Sequence, residues 1–284
     1  MRLGRRALLS IGAALTAAGC SPVQILNGLA PSRLVADGVA YGEDPRQKLD
    51  IYRPSGAGGP FPVVVFLYGG GWNSGDRAMY RFVGGALADH GLLTVIPDYR
   101  VFPEVKFPSF LQDNAAALRW TRDNSSTYGG APGPFFLMGH SAGAYNAAML
   151  GLDPAWLGPV GMDRRDLRGV IGLAGPYDFL PLHSDELRTI FGPPAQLPRT
   201  QPINFVDGKA PPMLLLAGDK DTTVDPANTA RLAARIRQAG GSVEEKFYPG
   251  IQHEEIVGSL GVPLRFLAPT LKDCLTFMGQ GSAA

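Results

Sequence analysis

Gly139-His140-Ser141-Ala142-Gly143 is the stretch whose reading decides the fold. It follows the apolar run Phe135-Phe136-Leu137-Met138 and precedes the alanine-rich segment Ala144-Tyr145-Asn146-Ala147-Ala148-Met149-Leu150. The pattern predicts a short buried strand, a sharp turn with serine at its tip, and then a helix. Gly139 and Gly143 carry no Cβ, so strand and helix can approach closely around a strained turn. A serine at that apex points out of the sheet beside a helix N-terminus, where developing negative charge is favoured. This is the setting a nucleophile needs. An ordinary glycine-bounded strand-to-helix turn would look the same locally, so the rest of the chain must decide.

Working outward, strands and helices alternate. Residues 34–41 and 47–52 read as an antiparallel pair, with partly alternating apolar positions. Residues 62–67, Pro-Val-Val-Val-Phe-Leu, form a continuous β-branched run, the mark of a strand buried on both faces. Further strands are expected at 92–96, 135–139, 169–173, 212–217 and 243–248. Helices are expected at 76–90, 108–124, 226–239 and 263–278, and the glycine- and proline-rich 54–60 as loop. This order predicts an α/β fold: a mostly parallel sheet of about eight strands with helices on both faces. In such sheets sites form at the C-terminal ends of the strands. Two proline-rich, irregular insertions, 150–168 and 177–210, are expected to supply a small lid and to leave a fairly open pocket.

A serine hydroxyl needs a base within hydrogen-bond reach. Of the four histidines, His253 follows the last strand at the correct sheet end. His140 adjoins Ser141, where neighbouring side chains diverge. His90 ends a helix, and His183 lies in an irregular segment. His253 is therefore the expected base. The loop Ala217-Gly218-Asp219-Lys220-Asp221 offers two carboxylates after the preceding strand. Asp221 is favoured to orient the base, and Asp219 reads as a turn-former bonding backbone N–H groups. The order Ser, Asp, His suits a nucleophile-elbow fold. Oxyanion donors are expected from the amide of Ala142 and from Gly69 and Gly70, in the Tyr68-Gly69-Gly70-Gly71-Trp72 run after the 62–67 strand.

Together these motifs resemble the α/β-hydrolase superfamily, in its carboxylesterase and lipase-like branch related to hormone-sensitive lipase, over roughly residues 35–280. Gly71-Trp72, Gly75-Asp76 and Asp98-Tyr99-Arg100 are also similar to arylformamidases, prenylcysteine methylesterases and acetylxylan or feruloyl esterases. The resemblance implies a serine carboxylester hydrolase acting on small or short-acyl esters through an acyl-enzyme. Arylformamidase-type amide hydrolysis on the same triad, and an inactive envelope lipoprotein with a binding role, are the alternatives. Those families usually begin the glycine motif with histidine; here Tyr68 stands in that place. Asp98 and Arg100 read as a structural ion pair or loop brace. Trp72, Phe102 and Tyr145 are candidates for pocket or core.

The 284 residues, 45% hydrophobic and 18% charged, suit one large domain, expected over residues 34–280. A formal net charge of +1 offers no basic field for nucleic acid. Residues 1–20 are expected to be an export signal. Arg2, Arg5 and Arg6 precede a short apolar stretch, and Arg5-Arg6 resembles a twin-arginine signal. Ala17-Ala18-Gly19-Cys20 resembles a bacterial lipobox. This implies lipidation at Cys20 and an envelope protein touching membrane only through that anchor. Residues 21–33 read as a linker. The second cysteine, Cys274, sits in an apolar helical pattern and reads as core. Neither cysteine has metal-ligand spacing, and no metal or cofactor is expected. The expected partner is a small-molecule ester.

Overall fold

A computed structural model describes residues 21–56 and 58–280. One eight-stranded sheet runs in the order β1-β2-β4-β3-β5-β6-β7-β8. β1 (Leu34–Ala40) pairs antiparallel with β2 (Lys48–Tyr52), which runs antiparallel to β4 (Leu93–Pro97). β3 (Val63–Leu67), β4, β5 (Phe135–His140), β6 (Leu167–Leu173), β7 (Met213–Gly218) and β8 (Val243–Tyr248) are all parallel. The mostly parallel sheet expected from the sequence is thus present. Around it lie α1 (Pro22–Gly28), α2 (Arg81–Asp89), α3 (Ser109–Asn124), α4 (Ala142–Leu152), α5 (Asp185–Phe191), α6 (Ala227–Gln238), α7 (His253–Gly258) and α8 (Thr270–Phe277).

Every residue of β3, β4 and β5 is buried, because helices cover both sheet faces. Side chains alternate between two cores. Val64, Phe66, Phe136 and Met138 pack with Phe82 and Leu87 of α2 and Leu271 and Cys274 of α8. Val63, Val65, Leu67 and Leu137 pack with Leu118 of α3, Ala144 and Ala147 of α4 and Leu232 of α6. Cys274 is fully buried, and burial pushes its thiol pKa up, so it is an inert core residue.

The turn between β5 and α4 sets the geometry of this edge. Ser141 sits at φ 54° and ψ −121°, a strained backbone for a residue with a side chain. A Cβ on Gly139 would collide with the Gly143 carbonyl, and one on Gly143 with the Leu67 carbonyl of β3. Strand, turn and helix therefore pack backbone against backbone. The Ser141 amide donates to the Leu173 carbonyl at 2.9 Å, tying the turn to β6.

Several elements differ from expectation. Residues 21–33, read as a linker, contain α1. Its Ser21–Gln24 capping box closes the N-terminus, and Leu26 buries against the fold. Asn27 fastens it further, donating to the Ala78 carbonyl at 2.9 Å and accepting from the Phe82 amide at 3.0 Å. The helix expected at 76–90 begins as a 3₁₀ turn, Arg77–Tyr80, capped by Asp76. The helix expected at 263–278 starts only at Thr270, immediately after Pro269. His253, read as a loop residue, is the first residue of α7. The export signal at 1–20 and Cys20 lie outside the described residues.

Because the close approach at Gly143 is to main chain, no rotamer change can relieve an added methyl. Gly143→Ala is expected to cost about 3 kcal/mol or more of stability, at the upper end of overpacking effects. A urea unfolding curve checks this; an unchanged midpoint would contradict the packing described.

Candidate active site

Four loops meet at the C-terminal edge of the sheet. Ser141 follows the central β5, and the glycine run follows its neighbour β3. Asp221 follows β7, and His253 follows β8. The Ser141 hydroxyl donates to His253 Nε2 at 2.8 Å, and His253 Nδ1–H donates to Asp221 Oδ2 at 2.7 Å. The three residues expected to form a triad are therefore brought into one hydrogen-bonded chain. His253 and Asp221 are buried, whereas Ser141 is partly exposed.

Asp221 is held from both ends. Burial alone would raise its pKa. The hydrogen bond from His253 and the Val224 and Thr223 amides, at 2.8 and 2.9 Å, outweigh it and keep the carboxyl below its ordinary range. Asp219 takes a bracing role: its Oδ1 accepts from the Gly250 amide at 2.7 Å. The Lys220 amide donates to the Ile251 carbonyl at 3.1 Å, so the Asp221 loop and the segment leading to His253 are tied together. His183 is exposed, and His90 caps the end of α2 with Nδ1–H on the Ala86 carbonyl at 2.8 Å.

The glycine run is clamped from below. Tyr68 is fully buried, stacked against Tyr99 with ring centroids 4.8 Å apart. Its hydroxyl donates to Asp98 at 2.9 Å, and its carbonyl accepts from the Tyr99 hydroxyl at 2.8 Å. Arg46 reaches the Tyr68 hydroxyl, the Tyr99 carbonyl and the Gly75 carbonyl. A phenol therefore supplies hydrogen-bond support at the head of the glycine run. Gly69 abuts the elbow: a Cβ there would meet Ser141 Cβ at 3.0 Å and His140 Nδ1 at 2.9 Å. Its amide faces the Tyr80 hydroxyl, partly offsetting the burial that pushes that phenol up to about 12. Ala142 opens α4, so its amide has no intrahelical acceptor.

Asp98 and Arg100 brace the loops, each with a different partner. Arg100 forks onto Asp113 at 2.8 and 2.9 Å. Asp98 joins Arg77, which also bonds Asp50 at 2.6 Å. The acids of this cluster are almost wholly buried: Asp50 is 1% and Asp98 4% exposed. Burial raises the Asp50 pKa, even against hydrogen bonds from the Gly38 amide and Arg77. Sequence reasoning missed Arg46, Arg77 and Asp50, because the partners that define their roles lie 12–53 positions away and no local motif marks them.

Trp72, at φ 62°, ends the glycine run. It is buried, and its indole donates to Asn146 of α4 at 3.2 Å. Tyr145 and Phe191 stand edge-on to it, with centroids 5.1 and 4.8 Å away. Phe191 belongs to α5, which lies in the second insertion. Asn73 donates to Glu186 of α5 at 2.9 Å, and the Phe107 amide to the Ile190 carbonyl at 2.9 Å. The irregular insertion thus closes down on the glycine run. Among the described residues no group of three or more His, Cys, Asp or Glu could hold a metal ion, and no helix is long and apolar enough to cross a membrane.

The strand–turn–helix elbow bearing Ser141 on the fifth strand of a mostly parallel eight-stranded sheet, with Asp221 and His253 after later strands, defines an α/β-hydrolase fold. The chain belongs to the BD-FAE family, whose model matches residues 49–236. It is 30% identical over 255 residues to the isoprenylcysteine alpha-carbonyl methylesterase of Arabidopsis thaliana, covering 82% of this chain and 59% of that protein. It is 31% identical over 224 residues to the esterase LipC of Mycobacterium tuberculosis, covering 72% of this chain and 55% of that one. The chain thus spans little more than half the length of these relatives. Among solved structures, a phosphonate-inhibited esterase B from Lactobacillus rhamnosis superposes with a TM-score of 0.79 at 22% identity. It covers 98% of this chain and 96% of that one.

Two outcomes follow from the buried groups. Arg77→Met strands two buried carboxylates and is expected to cost about 3–5 kcal/mol, read from urea unfolding. His140 is buried, and desolvation, then the neighbouring His253, depress its pKa to about 3. The unfolded chain takes up that proton near pH 6.5, as model histidines do. Stability is therefore lost as pH falls from about 6.5 towards 3, and the loss is shallower in His140→Gln. Denaturant midpoints at pH 7 and pH 5 for both proteins check the sign.

Proposed function

We propose that this protein is a serine hydrolase of carboxylic esters with small acyl groups. The observation that carries the proposal is the unbroken hydrogen-bonded chain from Ser141 through His253 to Asp221. Ser141 Oγ attacks the ester carbonyl while His253 Nε2 takes its proton. Asp221, ionised at neutral pH, holds the imidazole in the correct tautomer and stabilises the imidazolium. The oxyanion is received by the amides of Gly70 and Ala142. Gly69, whose amide faces Tyr80, supplies the close backbone wall. His253 then protonates the leaving alcohol, and water repeats the sequence on the acyl-enzyme. The esterase names among the relatives support ester chemistry.

A small acyl group is the expectation from the two irregular insertions, 150–168 and 177–210, which are too short for a large cap. Trp72, Tyr145 and Phe191 pack on one another as buried rings. Export, and lipidation at Cys20, belong to the same proposal. A Cys20→Ser chain released from the membrane fraction would support them.

Ser141→Ala is expected to lower p-nitrophenyl acetate turnover by roughly 10⁴-fold or more. An unchanged rate overturns the assignment. Across p-nitrophenyl esters, kcat/KM is expected to be highest for acetate to butyrate and to fall by about tenfold or more by octanoate, the scale of one badly fitted pocket. N-formylkynurenine, assayed alongside, is expected to be the poorer substrate.

A further inference from the structure

Among the described residues, His140 is the one buried titratable side chain beside the triad to which the proposed chemistry gives no task. It ends β5, directly before Ser141, and is 4% exposed. Its Nε2 lies 3.1 Å from the backbone carbonyl of His253, and the two imidazoles are 4.9 Å apart. A carbonyl accepts, so this nitrogen carries the proton, and Nδ1 carries none. Nδ1 has no partner among the described residues and lies against Gly69.

The ring of His253 is gripped at Nδ1 by Asp221, but a ring is only as well placed as the backbone that bears it. The ties between the Asp221 loop and the base segment act at Gly250 and Ile251, two or three residues upstream. The contact to the base residue's own carbonyl comes from His140, and it comes from the nucleophile's strand. We propose that His140 is a positioning residue: its Nε2–H holds the main chain of His253 at a fixed distance from Ser141, so that nucleophile and base keep register through both half-reactions. This rests on the triad reading above. Misplacement by an ångström is enough to cost on the order of a hundredfold in rate.

The full chain carrying His140→Met keeps side-chain bulk and loses the donor. With p-nitrophenyl acetate, kcat is expected to fall by about 30- to 100-fold with KM changed less than about threefold. Labelling of Ser141 by a fluorophosphonate should slow in proportion. His140→Gln sets an amide N–H at nearly the reach of Nε2 and should restore most of the rate. His140→Asn, one methylene shorter, should not. A folded His140→Met protein with wild-type kcat overturns the proposal. So does a His140→Gln protein as slow as His140→Asn at an equal thermal midpoint, and this pair decides the matter if His140→Met does not fold. Ser141→Ala runs beside them: wild-type turnover in that variant overturns the triad reading itself, and the role of His140 with it.

Discussion

The hydrogen bond from Ser141 to His253 joins residues 112 positions apart, and it exists only because main chain can touch main chain at the elbow. Gly143 lies against the Leu67 carbonyl and Gly139 against the Gly143 carbonyl. Remove that contact and α4 must move away from β3, carrying Ser141 off its apex. The strained serine backbone is then no longer over-determined, and the hydroxyl no longer faces the loop after β8. Two absent methyl groups therefore set the distance at which Ser141 meets the His253–Asp221 pair.

The edge of the sheet is held in a consistent manner. Each loop that contributes to the site is tied to another loop rather than only to its own strand. Asp219 reaches Gly250, Arg46 reaches Gly75, and Tyr99 reaches Tyr68. Arg77 gathers Asp50 from the leading hairpin and Asp98 from the end of β4 beneath the glycine run. Such buried charges add little net stability, but they admit few alternative arrangements once burial is complete. The Asn73–Glu186 contact extends the same principle to the lid.

Tyr68 illustrates how one position changes without loss of the arrangement it serves. It supports the glycine run from below. A phenol between Asp98 and Arg46, stacked between Tyr99 and Tyr80, meets that task with two hydrogen bonds and two ring contacts. The side chain fills its niche and bonds within it, and the glycine run above is held through main-chain contacts.

The chain by itself determined the β–turn–helix elbow and the parallel sheet, and it placed Ser141, Asp221 and His253 each just after a strand. These are local signals: an apolar run, a glycine pair, a carboxylate or histidine just after a strand. It offered Asp219 and Asp221 after one strand; in the fold it is Asp221 that takes the local Thr223 and Val224 amides as well as His253, while Asp219, expected as a turn-former, reaches across to Gly250 instead. Only the tertiary structure decided what depends on groups distant in sequence. α1 forms because Leu26 and Asn27 find a surface to bury against. Asp98 pairs with Arg77 rather than with Arg100, its neighbour but one. The Gly69 amide faces Tyr80, and His140 Nε2 bonds the His253 carbonyl. Periodicity and turn chemistry are written over a few residues and can be read there. Burial and long-range hydrogen bonds come into being only when separate segments meet.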